Sequence, residues 1–147
     1  MKRLPMKYLA GLIDGEGCID VMVGHGKYIR PRLRIALTEN SKFVLEMIQN
    51  TYGGNIYYRE YNNDVWSNSY SWEITSYKNV CVILRNLVNF LYIKKEQAKF
   101  MLELEKIVRG KALSCDALKA VKQELSLMKK DPHRLSEKAV ENILQML

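Results

Sequence analysis

The chain has 147 residues and a formal net charge of +7. This length fits a single domain with a hydrophobic core, and a hydrophobic fraction of 48% excludes an intrinsically disordered protein. The positive charge suits a polyanionic partner, and no apolar stretch is long enough to cross a bilayer.

The first predicted helix spans about residues 5–14 and leads into two carboxylates interleaved with two glycines. Asp14 and Glu16 put negative charge at the negative end of the helix dipole, which indicates that a cation is expected there. Gly15 and Gly17 let the chain leave the helix and let another backbone come close. An amphipathic helix with a glycine-rich C-cap is the alternative interpretation of this ending.

Alternating side chains in the next segment predict a β-hairpin with strands at about residues 19–23 and 28–38. A second hairpin is predicted from strands at about residues 56–61 and 69–75, joined by a polar turn that begins at residues 62–64. Pro31 indicates an edge strand or a bulge, because proline cannot donate to the ladder. The helix-facing side of the strands should be apolar and comprise Val21, Val23, Leu33, Ile35, Ile56, Tyr70, Trp72 and Ile74.

Helical periodicity predicts a helix between the two hairpins, capped by Asn40 or Ser41 and ended by Gly53-Gly54. Its apolar stripe would comprise Phe43, Val44, Met47 and Ile48. Later helices are predicted at about residues 76–89, 94–109, 113–129 and 136–147, the first of them capped by Ser76. The order α-β-β-α-β-β-α, followed by helical additions, places the chain in the α+β class with an antiparallel sheet.

The segment from residue 9 to residue 17 reads LAGLIDGEG. It closely resembles the signature of the LAGLIDADG homing endonucleases and differs only where Gly15 replaces Ala and Glu16 replaces Asp. The resemblance extends over about residues 6–100, and the motif occurs once. It implies one domain over residues 1–147, with a core at about 6–110 and a helical extension at about 111–147.

The resemblance implies a homing endonuclease of the kind that serves intron homing. Such a protein binds a long, nearly palindromic duplex through the major groove and hydrolyses both strands with Mg2+, for which Mn2+ can substitute, leaving short 3′ overhangs. Because the family uses two motif helices side by side, one motif implies a homodimer. The resemblance places the dimer interface at Leu9, Ala10, Gly11, Leu12 and Asp14.

Metal-binding roles carry over from the family to the end of the motif. Glu16 matches the metal-binding carboxylate, although it is one methylene longer than the usual Asp. Gly15 matches the residue whose backbone carbonyl faces the metal. Asp14 matches a residue that secures the helix end and the interface.

Further catalytic roles carry over to residues outside the motif. Glu39 matches the residue that orients active-site water, a position at which Gln is commoner in the family. The alternative interpretation of Glu39 is an ordinary acidic residue at the start of a helix. Lys42 matches a basic residue that supports the scissile phosphate, and a solvated lysine fits equally well. Lys94 matches the lysine that stabilises transition-state charge or polarises water, with Lys95 as the alternative one residue away.

The strand face opposite the helices is expected to contact base edges and phosphates. Arg30, Arg32 and Arg34 alternate along one strand, and like charges side by side on a sheet indicate an anionic partner. Trp66 either contacts DNA from its loop or folds back onto the protein. The full set of expected DNA contacts is Asp20, Met22, Tyr28, Arg30, Arg32, Arg34, Tyr57, Arg59, Tyr61, Ser69, Ser71 and Glu73.

An intracellular, soluble protein is expected, with no membrane partner and the compartment undetermined. Lys2-Arg3 leads into a short apolar run interrupted by Pro5 and Asp14, which argues against a signal peptide. The cysteines lack a Cys-x-x-Cys spacing, which favours reduced thiols: Cys18, Cys81 and Cys115. The alternatives to a DNA endonuclease are an RNA-splicing maturase, for which RNA would be a partner, and a non-cleaving DNA-binding protein.

Overall fold

The computed structural model describes residues 3–62 and 64–147. Its helices and strands follow the chain as α1 (Met6–Glu16), β1 (Gly17–Val23), β2 (Ile29–Thr38), α2 (Lys42–Tyr52), β3 (Asn55–Arg59), β4 (Ser69–Thr75), α3 (Tyr77–Leu87), α4 (Lys95–Val108), α5 (Cys115–Lys130) and α6 (Ser136–Leu144). Short 3₁₀ turns lie at His25–Lys27, Glu39–Ser41 and Val88–Phe90. The predicted element order and the α+β class are confirmed. The predicted turn includes Asn63, and the signal-peptide argument uses Lys2; both lie outside the described residues.

The strands form one antiparallel sheet in the order β1-β2-β4-β3. β2 is therefore a central strand, not the edge strand that Pro31 suggested. β4 ends at Thr75, which pairs with Arg32, so Pro31 has a strand neighbour only in β1. The Pro31 carbonyl accepts the Ser76 N–H at 3.1 Å, where the chain turns into α3. The missing N–H of Pro31 therefore costs no ladder hydrogen bond.

The helices pack on one face of the sheet, and most of the predicted apolar strand set lies there. Leu33, Ile35 and Trp72 are fully buried, whereas Ile56 and Tyr70 are partly buried against the core. Val23 lies on this face, opposite the buried Ile29, but it is 40% exposed because it is the last residue of β1, beside the hairpin turn.

The apolar stripe of α2 is rotated relative to the prediction. Val44, Leu45 and Ile48 are buried, whereas Phe43 is 62% exposed. The buried positions i, i+1 and i+4 form a continuous helical face, and this face excludes Phe43.

The end of α1 explains the need for glycine at residue 17. α1 runs through Glu16, two residues beyond the predicted end, and the Gly17 N–H bonds to the Ile13 carbonyl. A Cβ built on Gly17 would lie 2.8 Å from the Ile13 backbone, so only glycine fits where β1 leaves the helix.

The C-terminal helices share the core with the rest of the chain. α5 packs against β1 and α4, and α6 packs against α4 and α5. The buried Glu124 of α5 is paired with Arg134 at 2.9 Å and accepts a hydrogen bond from Asn142 of α6 at 2.9 Å. This pairing satisfies a buried charge and joins the two helices. Among the described residues, no helix is both long and apolar enough to span a membrane.

Candidate active site and nucleic-acid interface

The Asp14 carboxylate binds the backbone that begins α4. Its oxygens accept the N–H groups of Tyr92 at 2.8 Å, Lys94 at 2.9 Å and Ile93 at 3.2 Å. Asp14 is only 9% exposed, and these donors together with the positive end of the α4 dipole offset its buried charge. One carboxylate therefore fixes the end of the motif helix to the start of α4.

The side chain of Lys94 also binds the end of α1. Its ammonium donates to the Asp14 backbone carbonyl at 2.7 Å. Burial lowers the pKa of Lys94, while the negative charges of Asp14 and Glu16 act in the opposite direction. Within the described chain, this side-chain contact with the end of α1 belongs to Lys94 and not to Lys95. The geometry therefore brings Lys94 and Glu16 into the same electrostatic environment.

Glu16 is exposed and lines a groove of about 540 Å³ on the strand face. The same groove is lined by many of the predicted DNA-contacting side chains, namely Arg34, Tyr57, Arg59, Tyr61, Ser69, Ser71 and Glu73. Cys18 and Ala36 line it as well, although the sequence analysis did not select them. The motif helix thus ends where the expected DNA-binding face begins.

A metal site at Glu16 would be incomplete within one chain. No group of three or more His, Cys, Asp or Glu side chains in residues 3–62 and 64–147 is placed to hold a metal ion. Glu16 offers an exposed carboxylate, and Asp14 is occupied by backbone donors. A divalent ion fits here only if water, phosphate oxygens or a second chain complete the coordination.

The predicted interface residues divide between two faces of α1. The side chains of Leu9 and Ala10 are 1% and 0% exposed and pack in the core of their own chain. Gly11 is exposed and Leu12 is half-buried. Tyr8, Gly11, Leu12 and Gly15 share one helical face by their spacing, and a Cβ at Gly11 or Gly15 would enter open space.

Glu39 and Lys42 lie apart from the Glu16–Lys94 pair. Glu39 follows β2, on the order of 10 Å along the strand from the position opposite Glu16. The Lys42 ammonium lies 4.9 Å from the ring centroid of Tyr70, a residue of the helix-facing set. Within one chain, the Lys42 ammonium therefore contacts this ring and does not line the groove.

Lys129 lies beside the candidate site and was not predicted from the sequence. Its ammonium lies 3.4 Å from the Cys18 sulfur, because α5 packs along the edge strand β1. Its positive charge adds to burial in lowering the pKa of Lys94. Lys122 and Lys129 both line a cavity beside Asp20, and their seven-residue spacing on one helix was the available sequence signal.

The arginines of β2 have acidic partners within the sheet. Arg32 binds Asp20 through two hydrogen bonds of 2.9 and 2.7 Å, and the bond to Asp20 raises the pKa of the Arg32 guanidinium. Arg34 lies 3.8 Å from Glu73. The inference that this row of like charges requires an external anion is therefore wrong for Arg32, because Asp20 of β1 neutralises it.

The remaining predicted contact residues are more varied in their surroundings. Arg30, Tyr57 and Arg59 are exposed, and the Arg59 guanidinium lies 3.4 Å from the Tyr61 hydroxyl. Trp66 folds back, with its ring centroid 5.2 Å from that of Tyr61. Strand alternation places the following residues on the same face: Asp20, Met22, Arg30, Arg32, Arg34, Tyr57, Arg59, Ser69, Ser71 and Glu73. Tyr28 precedes β2 and pairs with Ala112.

A family model described as LAGLIDADG endonuclease matches residues 9–109, from the motif helix through α4. This match covers more than half of the chain and includes both hairpins. The chain belongs to the LAGLIDADG endonuclease family. Its size, with one motif and one domain's length, fits the single-motif type. None of the curated protein sequences compared with this chain matches it.

Solved LAGLIDADG structures share the fold. The homing endonuclease I-CvuI, solved in complex with its target in the presence of Ca, is 22% identical with a TM-score of 0.65, covering 96% of this chain and 93% of that one. The homing endonuclease I-TnaI is 18% identical with a TM-score of 0.51, covering 97% and 99%. I-SmaMI, bound to an uncleaved DNA target with calcium ions, is 21% identical with a TM-score of 0.56, covering 99% of this chain but 50% of its own.

Proposed function

We propose that this protein is a homodimeric homing endonuclease that binds a long, nearly palindromic duplex and hydrolyses both strands, leaving short 3′ overhangs. The observation that carries the proposal is the groove shared by Glu16 and the predicted contact side chains Arg34, Tyr57 and Arg59. A carboxylate at the end of a basic strand face puts hydrolytic chemistry beside a surface suited to DNA phosphates and bases.

The proposal needs a second chain because one chain supplies a single exposed motif carboxylate. The face of α1 with Tyr8, Gly11 and Gly15 supports close approach of two motif helices, since Gly11 and Gly15 leave space where side chains would stand. The fold match to half of the I-SmaMI chain agrees with a site assembled from two such units. Two Glu16 carboxylates would then lie at one molecular axis.

Glu16 and the Gly15 carbonyl are the groups that would hold Mg2+ or Mn2+. When bound, such an ion activates water and offsets charge on the phosphate oxygens. Lys94, fixed by the Asp14 carbonyl, would hold positive charge beside Glu16, where negative charge develops during phosphodiester hydrolysis. Glu39 and Lys42 remain secondary candidates that a bound duplex or the second chain would have to bring closer.

The test is selection of cleavable sites from a randomised duplex library with Mg2+. The expected product is a set of related, nearly palindromic sites with short 3′ overhangs, read from the sequenced ends. Wild-type protein that selects a site by binding and never cuts it would contradict the proposal and indicate a non-cleaving DNA-binding protein. Binding restricted to structured RNA would indicate a splicing maturase.

A further inference from the structure

A second basic site lies at the end of the sheet far from Glu16. A cavity of about 380 Å³ there is lined by Arg30, Lys78 and Arg109 together with Tyr28, Ser76 and Tyr77. None of the described residues that line it is acidic. We call this cavity the distal pocket. Neither the proposed catalysis nor the groove at Glu16 uses Lys78 or Arg109.

Separate elements bring these three cations together. Arg30 comes from the start of β2, Lys78 from the first turn of α3, and Arg109 from the residue after α4. The segment after Arg109 is held against the first hairpin, because the Leu113 N–H donates to the Lys27 carbonyl at 3.0 Å. The backbone segments that carry the lining residues are therefore held together by the fold.

The charge of the distal pocket remains positive after the nearby acid is counted. Glu105 pairs with Arg109 at 3.1 Å and also with Arg85 at 2.8 Å, so one carboxylate serves two guanidinium groups. Arg30 and Lys78 are exposed and make no ion pair within residues 3–62 and 64–147. A cationic cavity of this kind favours an anionic ligand.

Backbone donors add to this preference. The first N–H groups of an α-helix have no carbonyl partner one turn earlier, and in α3 two of them belong to Tyr77 and Lys78, which line the pocket. The next N–H, that of Asn79, bonds to the Ser76 hydroxyl. The Tyr77 hydroxyl is fully buried and is therefore not one of the donors. Donors at the positive end of a helix suit a phosphate.

We propose that the distal pocket binds a backbone phosphate of duplex DNA outside the bases that the hairpins contact. The inference rests on the proposed DNA-binding function and adds a sequence-independent contact to it. Arg30 connects the two surfaces, because it lines the pocket and also lies on the strand face with Arg32 and Arg34. A duplex lying on that face would pass the pocket at its outer end.

The test compares DNA binding by wild type, Lys78→Gln and Lys78→Arg across a series of salt concentrations, with a generic duplex and without Mg2+. For a dimer we expect Lys78→Gln to lower the slope of log Kd against log salt by about two units, roughly one for each phosphate that the variant no longer neutralises. Lys78→Arg should keep the wild-type slope. Lys138→Gln removes an exposed lysine of α6 and should also leave the slope unchanged. Thermal melting confirms that each variant is folded. Arg109→Gln, which changes a cation of the pocket outside the strand face, replaces Lys78→Gln if that variant does not fold.

Free phosphate offers the same chemistry and is tested separately. If inorganic phosphate, at matched ionic strength, stabilises wild type but not Lys78→Gln while DNA binding is unchanged, the pocket serves small phosphates and the DNA contact is overturned. An unchanged salt slope alone also overturns it. Because Glu16→Gln should alter cleavage without altering this slope, failure of the distal pocket and failure of the proposed endonuclease activity give different results.

Discussion

Asp14 is the residue on which the geometry of the candidate site depends most. Its carboxylate accepts three backbone N–H groups, and its own carbonyl accepts Lys94. A neutral amide at this position would turn an NH2 group toward some of these donors. The effect of changing Asp14 should therefore appear both in folding and in catalysis.

We expect Asp14→Asn to lower the free energy of unfolding by about 1–3 kcal/mol, because three partly buried N–H groups lose a charged acceptor. Cleavage should fall as well, since Lys94 is displaced. Urea unfolding and cleavage of a selected duplex measure the two effects. Asp116→Asn removes an exposed carboxylate of α5 and should change stability by less than about 0.5 kcal/mol. Equal stability of the two variants would contradict the role given to Asp14.

We expect Glu16→Gln to abolish cleavage and leave DNA affinity nearly unchanged, because affinity arises mainly from phosphate and base contacts elsewhere. Gel-shift titration and a cleavage time course on the same duplex separate the two. Glu137→Gln on α6 is the matched change at an exposed site and should affect neither. Cleavage by Glu16→Gln at the wild-type rate would remove Glu16 from the mechanism.

Ionisation of the Cys81 thiol makes the free energy of unfolding depend on pH in the alkaline range. Burial raises the pKa of its thiol to about 12, and the negative charge of Glu105 adds to this. Since the folded-state pKa lies above the unfolded value of 9.0, the stabilisation is complete below that pH and is lost as pH rises toward 12. We expect Cys81→Ala to reduce the alkaline loss by up to about 1.4 kcal/mol per pH unit. Exposed Cys115→Ala should retain the wild-type pH profile.

Arg30, Arg32 and Arg34 share one face of β2, but their charges are not equally available to a ligand. Period-two alternation predicted which side chains share the face, and the sheet places them accordingly. The acidic partner of Arg32 could not be predicted, because it depends on the register of β1 against β2. Local signals were sufficient for the Ser76 cap of α3, which needs only residues three apart.

We expect the arginines to respond differently to alanine substitution. Arg30→Ala should weaken DNA binding and leave stability nearly unchanged, because Arg30 is exposed. Arg32→Ala should lower stability by about 1 kcal/mol, since a partly exposed bidentate pair is removed. The free energies of unfolding of Arg32→Ala, Asp20→Ala and the double variant give the coupling free energy between the two side chains. A coupling near zero would show that the pair contributes nothing to folding.

At the scale of the whole molecule, contacts between segments distant in sequence determine which residues come together at the candidate site. The motif predicted Glu16 at the end of α1, but the Asp14 contact with the start of α4 joins residues far apart in sequence. Lys129 was missed for the same reason, because its position depends on α5 packing along β1. The burial of Leu9 and Ala10 within their own chain could not be predicted either, because the motif alone does not distinguish the face of α1 that enters the core from the face left exposed.

We expect wild type to sediment at twice 17.1 kDa and Gly11→Glu to sediment as a monomer. In one chain a Cβ at Gly11 meets open space, so the fold should persist, whereas two paired helices would exclude a charged side chain. Sedimentation equilibrium checks this, with far-UV circular dichroism to confirm folding. Ser126→Glu, an exposed change on α5, should remain dimeric. A monomeric wild type, with and without duplex, would contradict the homodimer.

The bidentate contact between Arg32 and Asp20 has a consequence for retargeting the protein to other DNA sites. A guanidinium that already donates two of its N–H groups to a neighbouring carboxylate has less capacity left for a base edge. Exchanging Arg32 alone would also leave Asp20 as an unpaired negative charge on the strand face that we propose contacts DNA. Libraries intended to alter base preference at this position should therefore randomise both codons together, because selection at either one alone samples mainly electrostatic mismatches.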